Sequence, residues 1–152
     1  MRRLSGVLLA GAMLMLPAFS QNAGVQAQAP QKLTMEGDLA LWSVAIRPDK
    51  TGDFEKIMGK IKEALSKSEA AEAKQQLAGW RVVKMSKPMP DGNIIYTHVI
   101  TPVAGADYNI LQVLYATFKD PAEQKELYDM YRGAFAANLG ISSGSIAADL
   151  SK

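Results

Sequence analysis

The chain contains a single histidine, His98, within the segment IIYTHVIT at 94–101, whose composition is typical of a β-strand. An imidazole titrates near neutral pH and can bind haem iron, so His98 is a candidate general base or haem ligand. A strand histidine can equally serve structure, by forming a hydrogen bond to a neighbour or by lying at a dimer interface. The sequence leaves these interpretations open.

A second candidate is the segment GISSG at 140–144, which matches the G-x-S-x-G pattern of serine hydrolases. In those enzymes the serine lies between a strand and a helix, and an acid and a histidine follow it along the chain. Here the pattern follows a predicted helix, and no histidine comes after it. We therefore interpret the match as coincidental.

Several aromatic side chains could line a pocket for a flat apolar molecule. The pocket candidates, together with one arginine, are Trp42, Trp80, Arg81, Tyr96 and Tyr108. Aromatic side chains also fill protein cores, and the sequence favours that use over a pocket.

Cysteine is absent from the chain. Its absence excludes disulfides, a thiol nucleophile, a thiolate zinc site and covalent haem attachment, and the single histidine excludes a metal site built from several histidines. No phosphate-binding or calcium-binding loop is recognisable. We expect no metal and no cofactor, since haem binding would rest on His98 alone.

The amino-terminal sequence MRRLSGVLLAGAMLMLPAFS has the pattern of a secretory signal peptide, with a basic pair followed by a short apolar stretch. That stretch is shorter than the roughly 20 residues that cross a bilayer as a helix. The pattern predicts a signal peptide over 1–27 that is cleaved after Ala27. Cleavage after Ala29 and an uncleaved anchor are the alternatives. Export implies a periplasmic or extracellular protein with no stable membrane span after cleavage.

Removal of the signal peptide also changes the net charge. The whole chain has 17 basic and 15 acidic residues, and two of the basic residues are Arg2 and Arg3 of the signal. The mature protein is therefore neutral and lacks the clustered positive charge that nucleic-acid binding needs. We expect no nucleic-acid partner.

The remaining sequence predicts one domain over 38–152, after a flexible lead-in over 28–37. LALWSVAI at 39–46 predicts a strand that is apolar on both faces. A helix should follow, because apolar residues recur at helical spacing, and a further helical segment should end at Gly79. The apolar positions of the first helix are Phe54, Ile57, Met58, Ile61 and Leu65.

A hairpin and a second helical region complete the predicted elements. WRVVKMS and IIYTHVIT flank a turn at KPMPDGN, and pairing His98 with Val83 places His98 on the face of Arg81 and Met85. A register shifted by one residue would exchange the two faces. ADYNILQVLYATF at 106–118 has apolar residues at helical spacing, and Asp120 and the residues after it predict the start of a helix that ends at Gly140. SIAADL at 145–150 predicts a short edge strand.

These elements predict an α+β, ferredoxin-like βαββαβ fold with helices on one face of an antiparallel sheet and an extra helical segment after the first helix. Through LWSVAIRPDKTGDFEKIMGKIKEAL and the hairpin, residues 39–150 resemble the dimeric α/β-barrel superfamily, which includes monooxygenases of antibiotic-biosynthesis type. The resemblance implies a homodimer whose two sheets pack face to face. It transfers no functional residue.

Two functions remain open. The first is a non-enzymatic binding or interaction module that holds a small apolar ligand or a partner protein against the sheet. The alternative is a cofactor-independent, monooxygenase-like enzyme with His98 as general base. Whether His98 faces a cavity or solid packing distinguishes them.

Overall fold

A four-stranded antiparallel sheet and four helices make up residues 31–150, the part of the chain that the computed structural model describes. The strands are β1 (Leu39–Ile46), β2 (Trp80–Lys84), β3 (Ile94–Ile100) and β4 (Phe135–Gly144). The helices are α1 (Thr51–Lys67), α2 (Ala73–Gly79), α3 (Ile110–Thr117) and α4 (Pro121–Ala134), with a 3₁₀ turn over Pro48–Lys50 before α1. The predicted signal peptide at 1–27 lies outside the described residues.

The strands are arranged in the order β2-β3-β1-β4, and every neighbouring pair is antiparallel. The α+β class, the antiparallel sheet and the extra helix after α1 are confirmed. The order along the chain is β-α-α-β-β-α-α-β, which differs from the predicted βαββαβ because the second helical region is also split. Pro121 explains that split, because a residue before proline disfavours the helical conformation and Asp120 caps a new helix.

One face of the sheet packs against the helices. The alternate β1 residues Ala40, Trp42, Val44 and Ile46 are buried in one cluster with the apolar face of α1. The helical spacing predicted for α1 is confirmed, and its buried residues are Phe54, Ile57, Ile61, Ala64 and Leu65. Burial of side chains of this size contributes about 1.5–3 kcal/mol each, which makes this layer the main source of stability.

The hairpin pairs in a different register from the predicted one. Val82, and not Val83, lies opposite His98. Arg81 therefore lies on the other face of the sheet from His98, and Trp80 shares the face of His98 instead. The turn fixes this register through hydrogen bonds from Met89 N to Asn93 O and from Gly92 N to Met89 O. A one-residue difference in such a turn exchanges the faces of the whole strand.

The carboxyl-terminal elements also differ from the prediction. Helix α4 ends at Ala134, so the predicted continuation to Gly140 is wrong, and residues 145–150 form no strand. The fourth strand is formed by residues 135–144 instead. It contains two register shifts against β1, and Gly140 has a positive φ of 107°. Pairing with β1 overrides the local helical pattern, because the outer backbone groups of β1 would otherwise lack partners.

Residues 31–37, the described part of the predicted lead-in, form neither helix nor strand but contact the fold. The Leu33 amide donates to Asp107 Oδ1 over 2.9 Å, and the Tyr108 amide donates to the Leu33 carbonyl over 2.8 Å. Met35 is buried in the core. This segment therefore lies against the start of the α3 region.

Candidate functional site

His98 lies at the centre of the packed face of the sheet and is 0% exposed. On β3 it stands between Trp42 of β1 and Val82 of β2. The imidazole stacks on the Trp42 ring, with centroids 4.6 Å apart and planes 22° apart. The Phe54 ring of α1 meets it edge-on at 6.0 Å. The Trp80 ring of β2 lies 5.8 Å away, so aromatic rings from three elements enclose His98.

One hydrogen bond indicates which nitrogen of the neutral imidazole carries the proton. The indole Nε1 of Trp80 donates to His98 Nδ1 over 3.0 Å. Because Nδ1 is the acceptor, the proton of the neutral ring is on Nε2. His98 Nε2 is buried and has no hydrogen-bond partner among the described residues.

Burial lowers the pKa of His98 from its ordinary value of 6.5 to about 4. A buried imidazole loses the hydration of its charged form, which disfavours protonation. His98 is therefore uncharged at neutral pH. A base with so low a pKa takes up a proton much less readily than an ordinary histidine does, which reduces its value in general base catalysis.

The other aromatic pocket candidates belong to the same cluster. Trp80 packs against Tyr108, with ring centroids 5.3 Å apart, and Tyr96 packs against Phe54 at 4.7 Å. The structure thus brings Trp42, Trp80, Tyr96 and Tyr108 together with His98 on the packed face. It does not bring Arg81 there.

Tyr96 connects this cluster to the surface. Its hydroxyl donates to the Glu55 carboxylate over 2.6 Å, and Lys84 Nζ donates to the same oxygen over 2.9 Å. The hydrogen bond from Tyr96 and, second, that from Lys84 lower the pKa of Glu55. Desolvation and, second, the bond to Glu55 raise the pKa of Tyr96. Tyr96, Glu55 and Lys84 thus form a hydrogen-bond network at the surface, of a kind that is common at the edge of a protein core.

The larger grooves of the described chain lie away from His98. One, of about 500 Å³, runs between the start of α1 and α4, and one of its acidic residues, Asp53, is paired with Lys50. Beside Trp80 there is only a narrow apolar cavity of about 60 Å³, lined also by α1 residues such as Ile61. His98 therefore faces solid packing. Within residues 31–150, no group of three or more acidic or histidine side chains is arranged to hold a metal ion.

The segment GISSG lies on the exposed strand β4. Ser142 pairs with Leu41 and Ser143 pairs with Ala40 across the β1–β4 ladder. A nucleophilic serine of the hydrolase type lies on a turn between a strand and a helix. This segment instead belongs to an edge strand. This placement supports the interpretation of the pattern as coincidental.

The face of the sheet that does not pack against the helices is largely apolar. The sequence indicated this only for β1, which was predicted to be apolar on both faces. Leu41 and Val83 on this face are 40% and 44% exposed, and Leu39 and Met85 are exposed as well. The registers place these other residues on the same face: Ser43, Ala45, Arg81, Ile95, Thr97, Val99 and, on β4, Ala137, Gly140, Ser142 and Gly144. Of these, Ala45 and Thr97 are buried. A solvated face of an antiparallel sheet is usually polar, whereas this one is largely apolar. We call it the open face.

The centre and one end of the open face have distinct chemistry. At the centre, the hydroxyls of Ser43 and Thr97 form a hydrogen bond of 2.9 Å to each other. At one end, a groove of about 280 Å³ is lined by Leu39, Leu41 and residues 142–146. Arg81 is the only charged residue among the positions that the strand registers place on this face.

No protein-family model matches the chain, and no curated protein or solved structure is significantly similar to it. Function must therefore be inferred from the residues and their geometry. In the described range 31–150, none of the helices has the length and apolar character of a membrane span.

Proposed function

We propose that the protein is an exported, non-enzymatic binding module with a ferredoxin-like fold, and that the open face is its docking surface. The occupant that we propose for this face is a second copy of the chain. The observation that carries the proposal is a largely apolar sheet face on which Leu39, Leu41, Val83 and Met85 are exposed and Arg81 is the one charged residue in the strand registers.

The strand order supports the ferredoxin-like assignment. Each helical pair, α1 with α2 and α3 with α4, connects two strands that are separated in the sheet by one antiparallel strand. If each pair counts as one crossover, the connections are those of a βαββαβ fold. Such a fold leaves one sheet face without helices, and that face is the open face.

The size of the open face suits a dimer. Four strands spaced about 4.8 Å apart and about 3.4 Å of rise per residue give a face of roughly 19 by 27 Å along the eight-residue β1. Its flat projection is thus roughly 500 Å². Because the side chains protrude, the accessible area of the face is larger than this projection. It approaches the roughly 800 Å² that each partner buries in a stable interface.

Charge and hydrogen bonding also suit a second copy. A two-fold interface brings the same patch of each copy together, so a charged patch would repel itself. The open face avoids this repulsion because Arg81 lies on the edge strand β2. The central hydroxyls of Ser43 and Thr97 already bond to each other, so they can be buried without losing their partners.

No observation favours the alternative of an enzyme with His98 as general base. The imidazole is enclosed by Trp42, Trp80 and Phe54, and burial lowers its pKa to about 4. A substrate would have to displace core side chains to reach it.

The experiment compares the mass in solution of three forms of the mature protein, by sedimentation equilibrium over a range of protein concentrations. We expect a dimer for the unaltered protein and a monomer for Leu41→Glu. Tyr128→Glu is the matched control, because Tyr128 lies on α4 and is 42% exposed, close to the 40% of Leu41. This control should remain a dimer.

Far-UV circular dichroism of all three forms verifies that each is folded. A folded, unaltered protein that stays monomeric at high concentration would overturn the proposed occupant. Native mass spectrometry then distinguishes the other occupants. A monomer with extra mass would indicate a small ligand, and a complex with another chain would indicate a different partner protein.

A further inference from the structure

One side-chain hydrogen bond joins the buried imidazole to the edge strand β2. Trp80 is the first residue of β2, and β2 is an outer strand. Its indole donates to His98 Nδ1 over 3.0 Å. We propose that protonation of His98 is an acid-sensitive switch that releases Trp80 and opens the β2 edge of the sheet.

None of the aromatic groups that contact the imidazole carries a negative charge that could pair with an imidazolium. Trp42 of β1, Phe54 of α1 and Trp80 of β2 contact the ring, and all three are uncharged. On β3 itself, Tyr96 shares the face of His98.

The charged groups bonded to Tyr96 already pair with each other. Glu55 of α1 accepts hydrogen bonds from the Tyr96 hydroxyl and from Lys84 of β2. Tyr108 packs on Trp80 and directs its hydroxyl to backbone atoms, accepting from Val103 N over 3.0 Å. Burial lowers the pKa of His98, and no charged group of the described residues is among the causes of that shift.

Protonation would reverse the role of Nδ1. The neutral ring accepts at Nδ1, whereas the imidazolium carries an N–H at both nitrogens. Two donors, Nδ1–H of His98 and Nε1–H of Trp80, would then point at each other. The hydrogen bond would be lost, and the buried cation would need water.

The sheet can open most readily at β2. His98 lies on β3, which is paired on both sides, whereas β2 is paired on one side only. Arg81, Val83 and Lys84 of β2 are exposed. A small apolar cavity of about 60 Å³ also borders Trp80, so its ring is not packed on every side. Opening there disrupts the fewest contacts of the sheet.

The test uses the single histidine and the two tryptophans of the chain. In a Trp42→Phe protein without a histidine tag, His98 is the only imidazole and Trp80 the only indole. NMR then follows the His98 ring, and fluorescence follows Trp80, from pH 7.5 to 3.5 in shared samples. We expect Trp80 emission to shift to longer wavelength with the His98 midpoint, between pH 6.5 and 4. Far-UV circular dichroism should keep its signal through this step.

The matched control is Trp42→Phe with His98→Gln, since a glutamine carbonyl can accept from the indole but does not titrate. We expect no emission shift in this control. An equal shift in the control, a His98 titration without a shift, or loss of circular dichroism in the same step would each overturn the proposal.

Amide exchange in the unaltered protein tests the switch if the tryptophan variant does not fold. After correction for the intrinsic pH dependence of exchange, protection should be lost on β2 and kept on β1 as the pH falls through the His98 midpoint. Equal loss on both strands would mean global unfolding and would overturn the proposal.

Discussion

Trp42 and His98 lie directly opposite each other on β1 and β3, and their rings stack with centroids 4.6 Å apart. The pair lies in the middle of the sheet, and Phe54 closes it from the helix side. A titratable group therefore occupies a position that an apolar side chain fills in most sheets. The acid sensitivity of the fold follows from this placement.

Stability should fall between pH 6.5 and pH 4. Burial lowers the pKa of His98 in the folded state to about 4, whereas the unfolded chain has the ordinary 6.5. Below pH 6.5 the unfolded state binds more protons, so the free energy of unfolding decreases until the pH reaches the folded pKa. The total loss is about 3 kcal/mol. Urea unfolding at a series of pH values measures it.

The His98→Gln protein is the control for this pH dependence. It lacks the titrating group and should lose less stability than the unaltered protein over the same interval. Equal slopes for the two proteins would show that other groups cause the acid sensitivity.

Asn138 should stabilise the pairing of β4 with β1. Its side-chain oxygen accepts from Trp42 Nε1 and from the Gly140 amide, each over 3.1 Å. Asn138→Ala leaves both donors without this acceptor, so we expect the free energy of unfolding to fall by about 1–3 kcal/mol. Asn138→Asp keeps an acceptor oxygen and should lose less. Urea unfolding at pH 7 compares the three proteins, and an alanine variant as stable as the unaltered protein would contradict the prediction.

Tyr96→Phe should raise the pKa of Glu55. The Tyr96 hydroxyl is the largest cause of the lowered pKa of this carboxylate, and Lys84 is the second. A lowered folded pKa contributes stability above the ordinary value of 4.5, and this contribution is lost as the pH falls through the folded pKa. NMR titration of the carboxyl carbon should show a larger rise for Tyr96→Phe than for Lys84→Met. The reverse order would mean that charge outweighs the hydroxyl.

The start of α4 should depend on Asp120. Its carboxylate accepts from the Glu123 amide over 2.8 Å, as an N-cap does. Asp120→Ala should destabilise the protein by about 1 kcal/mol. Asp129→Ala is the control, because Asp129 lies on the same helix and its ion pair with Lys125 is exposed. Similar losses in thermal unfolding of the two variants would argue against a special role for the cap.

The sequence predicted the elements whose signals are local. Phe54, Ile57 and Ile61 mark α1 by their spacing alone, and the proline after Asp120 marks the start of α4. These signals act within one or two helical turns, so no tertiary information is needed to interpret them. Strand β1 was predicted for the same reason.

The elements that depend on distant partners were predicted poorly. Residues 135–140 have apolar spacing that fits a helix, yet they form a strand because β1 offers them a partner. The register of the hairpin depends on one residue in its turn, which periodicity does not reveal. His98 was identified as the residue of interest. Its enclosure was not predicted, because Trp42, Phe54 and Trp80 reach it from three separate segments.

The two register shifts in β4 limit how far the chain can assemble. β4 is an outer strand of ten residues without a charge or a proline, a combination that in a regular strand invites further strands and fibril growth. The shifts near Val44 and Ile46 and the positive φ of Gly140 interrupt the even spacing of its outer amides and carbonyls. In the dimer that we propose, the uneven edge of β4 would therefore disfavour the addition of further strands to the closed pair.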